Sequence, residues 1–115
     1  MLTFIPRAFP SANQVLLHGT KPILVDSGFG SDFPETVTIL TEQGMDPQAL
    51  QMVVNTHWHC DHSGGNHHFQ REYGLQIATH KIEAEIINRG LPEAHDAHWL
   101  VQPIEACTID LSLQE

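Results

Sequence analysis

The sequence predicts a mixed α/β layer structure, and three observations carry that expectation. Short apolar runs bounded by turn residues read as strands. Segments with apolar residues three and four apart read as helices, and they alternate with the strands through the second half of the chain. One strand-like run, "QMVVNT", feeds straight into "HWHCDHSGG", which packs four potential metal ligands into six positions.

The elements follow in order. In "NQVLLHGTKPILVDSG", Val15–Leu17 and Ile23–Val25 are two apolar runs separated by "HGTKP", the pattern of a hairpin whose second strand ends at Asp26-Ser27-Gly28. A helix is expected from Phe33 to Gln43, with Asp32 as its cap, Pro34 in its first turn and Gly44 as its stop. Phe33, Val37 and Leu40 share one face of it. "MDPQAL" reads as a short capped turn and "QMVVNT" as a buried strand. "NHHFQREY" is a short helix with Phe69 and Tyr73 on one face, ended by Gly74. "LQIAT" is a strand, and "HKIEAEIINRG" is a helix burying Ile82 and Ile86 and ending at Gly90. "LPEAHDAHWLVQP" has no clear period, and "IEACTIDLSLQE" alternates as a strand would.

Composition bounds the function. The length of 115 residues allows one domain at most, with a modest core. Five basic residues against fourteen acidic ones give a net charge of −9, which weighs against nucleic acid and anionic membranes and favours cations. "MLTFIPRAFP" lacks the apolar core of a signal peptide, and no run approaches a membrane span. Cys60 and Cys107 form no CxxC pair and read as reduced thiols, so a cytoplasmic location is expected.

The cluster holds His57, His59, Asp61 and His62. Imidazole and carboxylate are the ligands of Zn, Fe and Mn sites. His57 and His59, two apart, point the same way from an extended segment, while Asp61 and His62 reach a second point. Gly64 and Gly65 let the backbone turn sharply and approach closely. Two adjacent divalent ions suit this spacing, and such ions activate water between them. Asp61 is placed to orient that nucleophile. A chance cluster or a His-rich surface loop is the plain alternative; the buried strand before it and Gly-Gly after it argue against both. His67 and His68 are expected to face solvent, His95 and His98 lack a flanking motif, Cys60 points away from the ligands, and Trp58 packs beside them.

"THWHCDHSGGN" resembles the H-x-H-x-D-H signature of the metallo-β-lactamase superfamily, and "ILVDSGFG" resembles that family's strand ending in Asp-[Ser/Thr]-Gly. The "ATHKIEAEI" junction also matches. The resemblance implies the N-terminal half of an αβ/βα four-layer sandwich, so that 1–115 is a single partial domain. It implies two divalent ions, zinc in the first instance with iron or manganese as variants. His57 and His59 would bind the first and Asp61 and His62 the second. It implies a brace role for Asp26, for which a strand-end turn cap is an equal reading from the residues alone, and no ligand role for His80. It implies a hydrolase of small-molecule substrates, activating water against an ester, thioester, lactone or β-lactam. Three further ligands of that family lie later than this sequence extends; no Gly-His pair follows His62. The alternative is therefore a truncated, non-catalytic metal-binding module, or a homo-oligomer formed through the uncovered apolar face.

Overall fold

The computed structural model describes residues 1–9, 11–57, 59–88 and 108–113. Six strands form one sheet in the order β1-β2-β3-β4-β5-β6. They are β1 (Leu2–Ile5), β2 (Gln14–Leu17), β3 (Ile23–Val25), β4 (Met52–Val54), β5 (Gln76–His80) and β6 (Leu111–Leu113). The first three pair antiparallel and the rest parallel, with Leu24 opposite Val53 and Val53 opposite Ile77. Parallel pairing requires crossovers, which α1 (Phe33–Glu42), α3 (Asn66–Tyr73) and α4 (Lys81–Asn88) provide; α2 (Cys60–Ser63) is a single turn.

Strand alternation sorts the sheet into two faces. Leu16, Leu24, Val53 and Ile77 lie in register across the middle of one face and are fully buried. They share a core with Phe33 and Leu40 of α1, Phe69 of α3 and Ala84 of α4. The opposite face carries Leu2, Phe4, Val15, Leu17, Ile23, Val25, Leu111 and Leu113, of which Leu2 and Phe4 are 61% and 57% exposed.

The hairpin, the helix after it, the capped turn and the strand into the cluster stand where the sequence puts them. In the turn, the Asp46 carboxylate accepts from the Gln48 amide. Four details differ. The N-terminal apolar stretch is an edge strand, since "LTFI" finds a partner in β2 that no local pattern announces. Asp32 occupies the cap position of α1, but its side chain makes no capping bond; its carbonyl instead accepts from Thr36 Oγ1. Ile82 is 61% exposed, and Ala84 faces the core in its place. In the last segment only Leu111–Leu113 pairs as a strand among the described residues. Ile86, Gly90, His95, His98, Cys107 and the aperiodic 91–103 lie outside the described side chains and residues, as does Trp58. No helix among the described residues is long and apolar enough to cross a membrane.

Burial sets the expected mutational contrast. Leu24→Ala, at the fully buried centre, should cost roughly 2–5 kcal/mol. Leu113→Ala, on the open face, should stay within about 0.5 kcal/mol. Urea denaturation of the two variants measures the difference.

Candidate metal centre

The cluster begins where β4 ends. Parallel pairing of β3 with β4 brings Asp26, just past β3, level with Asn55 and Thr56, just past β4. Asp26 adopts φ 63°, a left-handed conformation that costs a non-glycine residue about 1 kcal/mol or more. Its contacts account for the persistence of that strain. The backbone N–H donates to Val54 O at 2.8 Å and the carbonyl accepts from Gln14 Nε2 at 2.9 Å. Oδ1 accepts from the Thr56 amide at 2.9 Å, and Oδ2 from Thr56 Oγ1 at 2.7 Å. Oδ2 also lies 2.9 Å from His62 Nδ1. A carboxylate can only accept here, so Nδ1 carries the proton and Nε2 is left with its lone pair. Asp61 Oδ2 stands 3.5 Å from that Nε2.

The backbone of the loop is held separately. The His62 carbonyl accepts from the Ser27 amide at 2.7 Å, from Ser27 Oγ at 3.3 Å and from Asn55 Nδ2 at 3.1 Å. Ser27 Oγ also donates to Asn66 Oδ1 at 2.7 Å, and Asn66 Nδ2 donates to Asn55 Oδ1 at 2.6 Å. These side chains are buried and satisfy one another, which a buried polar network requires. Sequence reasoning missed Thr56, Asn55, Ser27 and Asn66. Their only signal is position, each adjoining a recognised motif.

Gly64 and Gly65 act through proximity alone. The chain turns at this pair between α2 and α3, but both have ordinary right-handed backbone, so the turn does not itself require glycine. A Cβ on Gly64 would lie 2.6 Å from both Cys60 O and Gly30 N, and one on Gly65 would lie 2.7 Å from Ser27 O.

The four candidate ligands are brought together. The rings of His57 and His59 lie 4.7 Å apart between centroids, and those of His57 and His62 lie 3.8 Å apart. Burial, followed by the neighbouring His62 and His59, lowers the His57 pKa and favours the neutral, lone-pair form. Among the described residues, no group of three or more His, Cys, Asp or Glu side chains is placed to hold an ion. The donor types fit a divalent cation, and pairwise geometry divides them. Two imidazoles on one tetrahedral ion, with metal–nitrogen distances of about 2 Å, stand about 5 Å apart. The His57–His59 pair is near that spacing, whereas the His57–His62 pair is too close for it.

The other candidates resolve individually. His67 is buried, contrary to the expectation of a solvent-facing side chain, and His68 stacks on Phe33 at 4.6 Å. The first turn of α3 packs against the 28–30 loop, so its His67 ring meets Gly30 rather than water. Cys60 is buried against Phe29. His80 Nδ1 accepts from the Ile82 amide at 3.3 Å, at the start of α4.

A sequence profile described as the metallo-beta-lactamase superfamily matches residues 8–109. The chain belongs to that superfamily. It is 34% identical over 85 residues to the chicken (Gallus gallus) protein named acyl-coenzyme A thioesterase MBLAC2, covering 69% of this chain and 28% of that one. Its fold matches the FEZ-1 metallo-beta-lactamase of Legionella gormanii with a TM-score of 0.80 at 17% identity, over 97% of this chain and 43% of that chain. A metallo-beta-lactamase of Cronobacter sakazakii aligns with a TM-score of 0.75 at 25% identity, over 90% and 40%. This chain thus spans well under half the length of these relatives, and its architecture is the N-terminal portion of their fold.

Close packing at Gly64 makes a direct test of the loop's rigidity. Gly64→Ala must displace two backbone segments and should cost about 3 kcal/mol or more. Gly44→Ala meets nothing within 4 Å and carries only the strain of φ +79°, about 1 kcal/mol. Thermal unfolding of both variants checks the ranking.

Proposed function

We propose that this chain is the N-terminal, metal-binding part of a hydrolase, and that residues 1–115 form one partial domain of it. The observation that carries the reading is the pairwise proximity of His57, His59, Asp61 and His62 just past the end of β4, with His62 Nδ1 turned to Asp26 and its Nε2 toward Asp61. His57 and His59 would hold the first divalent ion, zinc in the first instance, and Asp61 and His62 the second. When bound, the ions supply Lewis acidity that makes water a nucleophile near neutral pH and polarises a carbonyl oxygen. Asp61 accepts a hydrogen bond from the attacking water and fixes its direction. Asp26 and Thr56 keep the His62 ring in one tautomer and one orientation.

Among ester, thioester, lactone and β-lactam substrates, the likeness to the chicken thioesterase favours a thioester. The net charge of −9 argues against nucleic-acid substrates.

Metal analysis of the purified chain is the decisive experiment. Refolded with excess metal, it should retain zinc, iron or manganese; retention of none overturns the reading. His57→Ala and His59→Ala should each weaken the first metal position at least 10-fold, and His62→Ala the second, because each removes a coordination bond. His67→Ala should leave metal affinity unchanged and lower the melting temperature instead, since the ring is buried. Asp61→Asn keeps the shape and removes the charge. Unchanged metal content in Asp61→Asn would overturn the two-metal arrangement.

A second reading is that two copies associate through the open sheet face. It is favoured by Leu2, Phe4, Leu111 and Leu113, which stand exposed on the face opposite the helices. Light scattering should then give twice the monomer mass, and Phe4→Glu should return the chain to monomer. A wild-type monomer at all concentrations rejects this reading.

A further inference from the structure

Arg7 is chemically out of place. Its side chain is 2% exposed, although a guanidinium is strongly hydrated and costly to bury. Nη1 donates to Gln14 Oε1 at 2.6 Å and to Thr36 Oγ1 at 2.8 Å. Nη2 stands 3.5 Å from Glu35 Oε2 and makes no hydrogen bond among the described residues. Gln14, fully buried on β2, turns its other amide atom toward the metal loop, where Nε2 donates to the Asp26 carbonyl at 2.9 Å.

Chemistry dictates the orientation of that amide. A guanidinium only donates and a backbone carbonyl only accepts, so Gln14 must present its oxygen to Arg7 and its NH2 to Asp26. Flipping the amide would break both bonds at once. The fixed carbonyl belongs to the residue with left-handed backbone, whose carboxylate meets His62 Nδ1. Gly28 lies against the same guanidinium, since a Cβ there would be 3.6 Å from Arg7 Nη1. Arg7 therefore supports the underside of the 26–28 loop while the ligands stand on its upper side.

We propose that Arg7 and Gln14 are positioning residues for the metal centre: Arg7 locks the Gln14 amide, Gln14 holds the Asp26 carbonyl, and the backbone so held aims the Asp26 carboxylate at His62 Nδ1. The metal-binding consequence rests on the function proposed above; the effect on the His62 ring does not. The pair touches no ligand directly. Its action is to keep Nε2 of His62 as the atom with the lone pair, because free imidazole favours the opposite tautomer, with the proton on Nε2.

The test reads the ring itself. In the metal-free chain at about pH 8, above the ordinary imidazole range, nitrogen-15 NMR of the histidine side chains should show His62 with its proton on Nδ1. Gln14→Met should shift the population toward the Nε2–H form. Gln14→Glu keeps the shape and the partner of Arg7 but sets a carboxylate oxygen against the Asp26 carbonyl, so it should fold and give the same shift. Arg7→Met should act like Gln14→Met, and Arg7→Lys, which retains a donor for Gln14 Oε1, should restore much of the wild-type tautomer. Leu75→Ala, destabilised in the core away from the β2–β3 hairpin, should leave it unchanged. A His62 ring still protonated on Nδ1 in folded Gln14→Glu overturns the proposal, and so does a shift of equal size in Leu75→Ala.

Cobalt(II) titration of the same proteins supplies the second readout. Gln14→Glu should weaken binding 10- to 100-fold, the usual effect of losing support behind a ligand. Cobalt affinity in Gln14→Glu equal to wild type overturns the link from ring position to metal. If the wild-type chain binds no cobalt while the tautomer shifts as expected, the metal-centre reading fails and the positioning role stands.

Discussion

Asp26 is the residue on which the site depends. Its backbone and carboxylate together take part in five hydrogen bonds among the described residues, reaching β2, β4, Thr56 and His62. A left-handed aspartate would ordinarily relax to a lower-energy backbone. Here any rotation of φ would break contacts on both sides of it, so the strain is over-determined by its surroundings. The same residue joins the two parallel strands whose ends carry the chemistry, because it leaves β3 as Thr56 leaves β4. Chain ends at the C-terminal edge of parallel strands are where such folds place reactive groups.

Around Asp26 the loops are fixed by two different means. Buried amides and hydroxyls of Ser27, Asn55 and Asn66 lock the His62 carbonyl. Backbone contact at Gly30, Gly64 and Gly65 leaves no room for a side chain. Polar satisfaction gives direction and close packing gives stiffness. A metal site needs both, since ligand placement to within a fraction of an ångström decides affinity. Apolar burial contributes at one remove, by clamping α1 and α3 onto the face of the sheet behind the loop.

The sheet's second face is different in kind. It is apolar along β1, β2, β3 and β6, yet among the described residues it carries no helix from the core cluster. The relatives of known structure are more than twice as long as this chain.

The sequence by itself determined the strand and helix order from Gln14 to the helix after β5, the family and the four ligand candidates. Those signals are local: the apolar runs Val15–Leu17 and Ile23–Val25, the period of Phe33, Val37 and Leu40, and the spacing of His57, His59, Asp61 and His62 survive in any short window of the chain. Tertiary structure decided the rest. Whether "LTFI" is a strand depended on the partner edge of β2, and whether His67 faces water depended on what packs against α3. Asp26 is 36 residues from His62 and Arg7 is 7 from Gln14. Nothing in the intervening sequence marks either pair, because a hydrogen bond between distant residues is created by the strand register that brings them together, and that register is a property of the whole sheet.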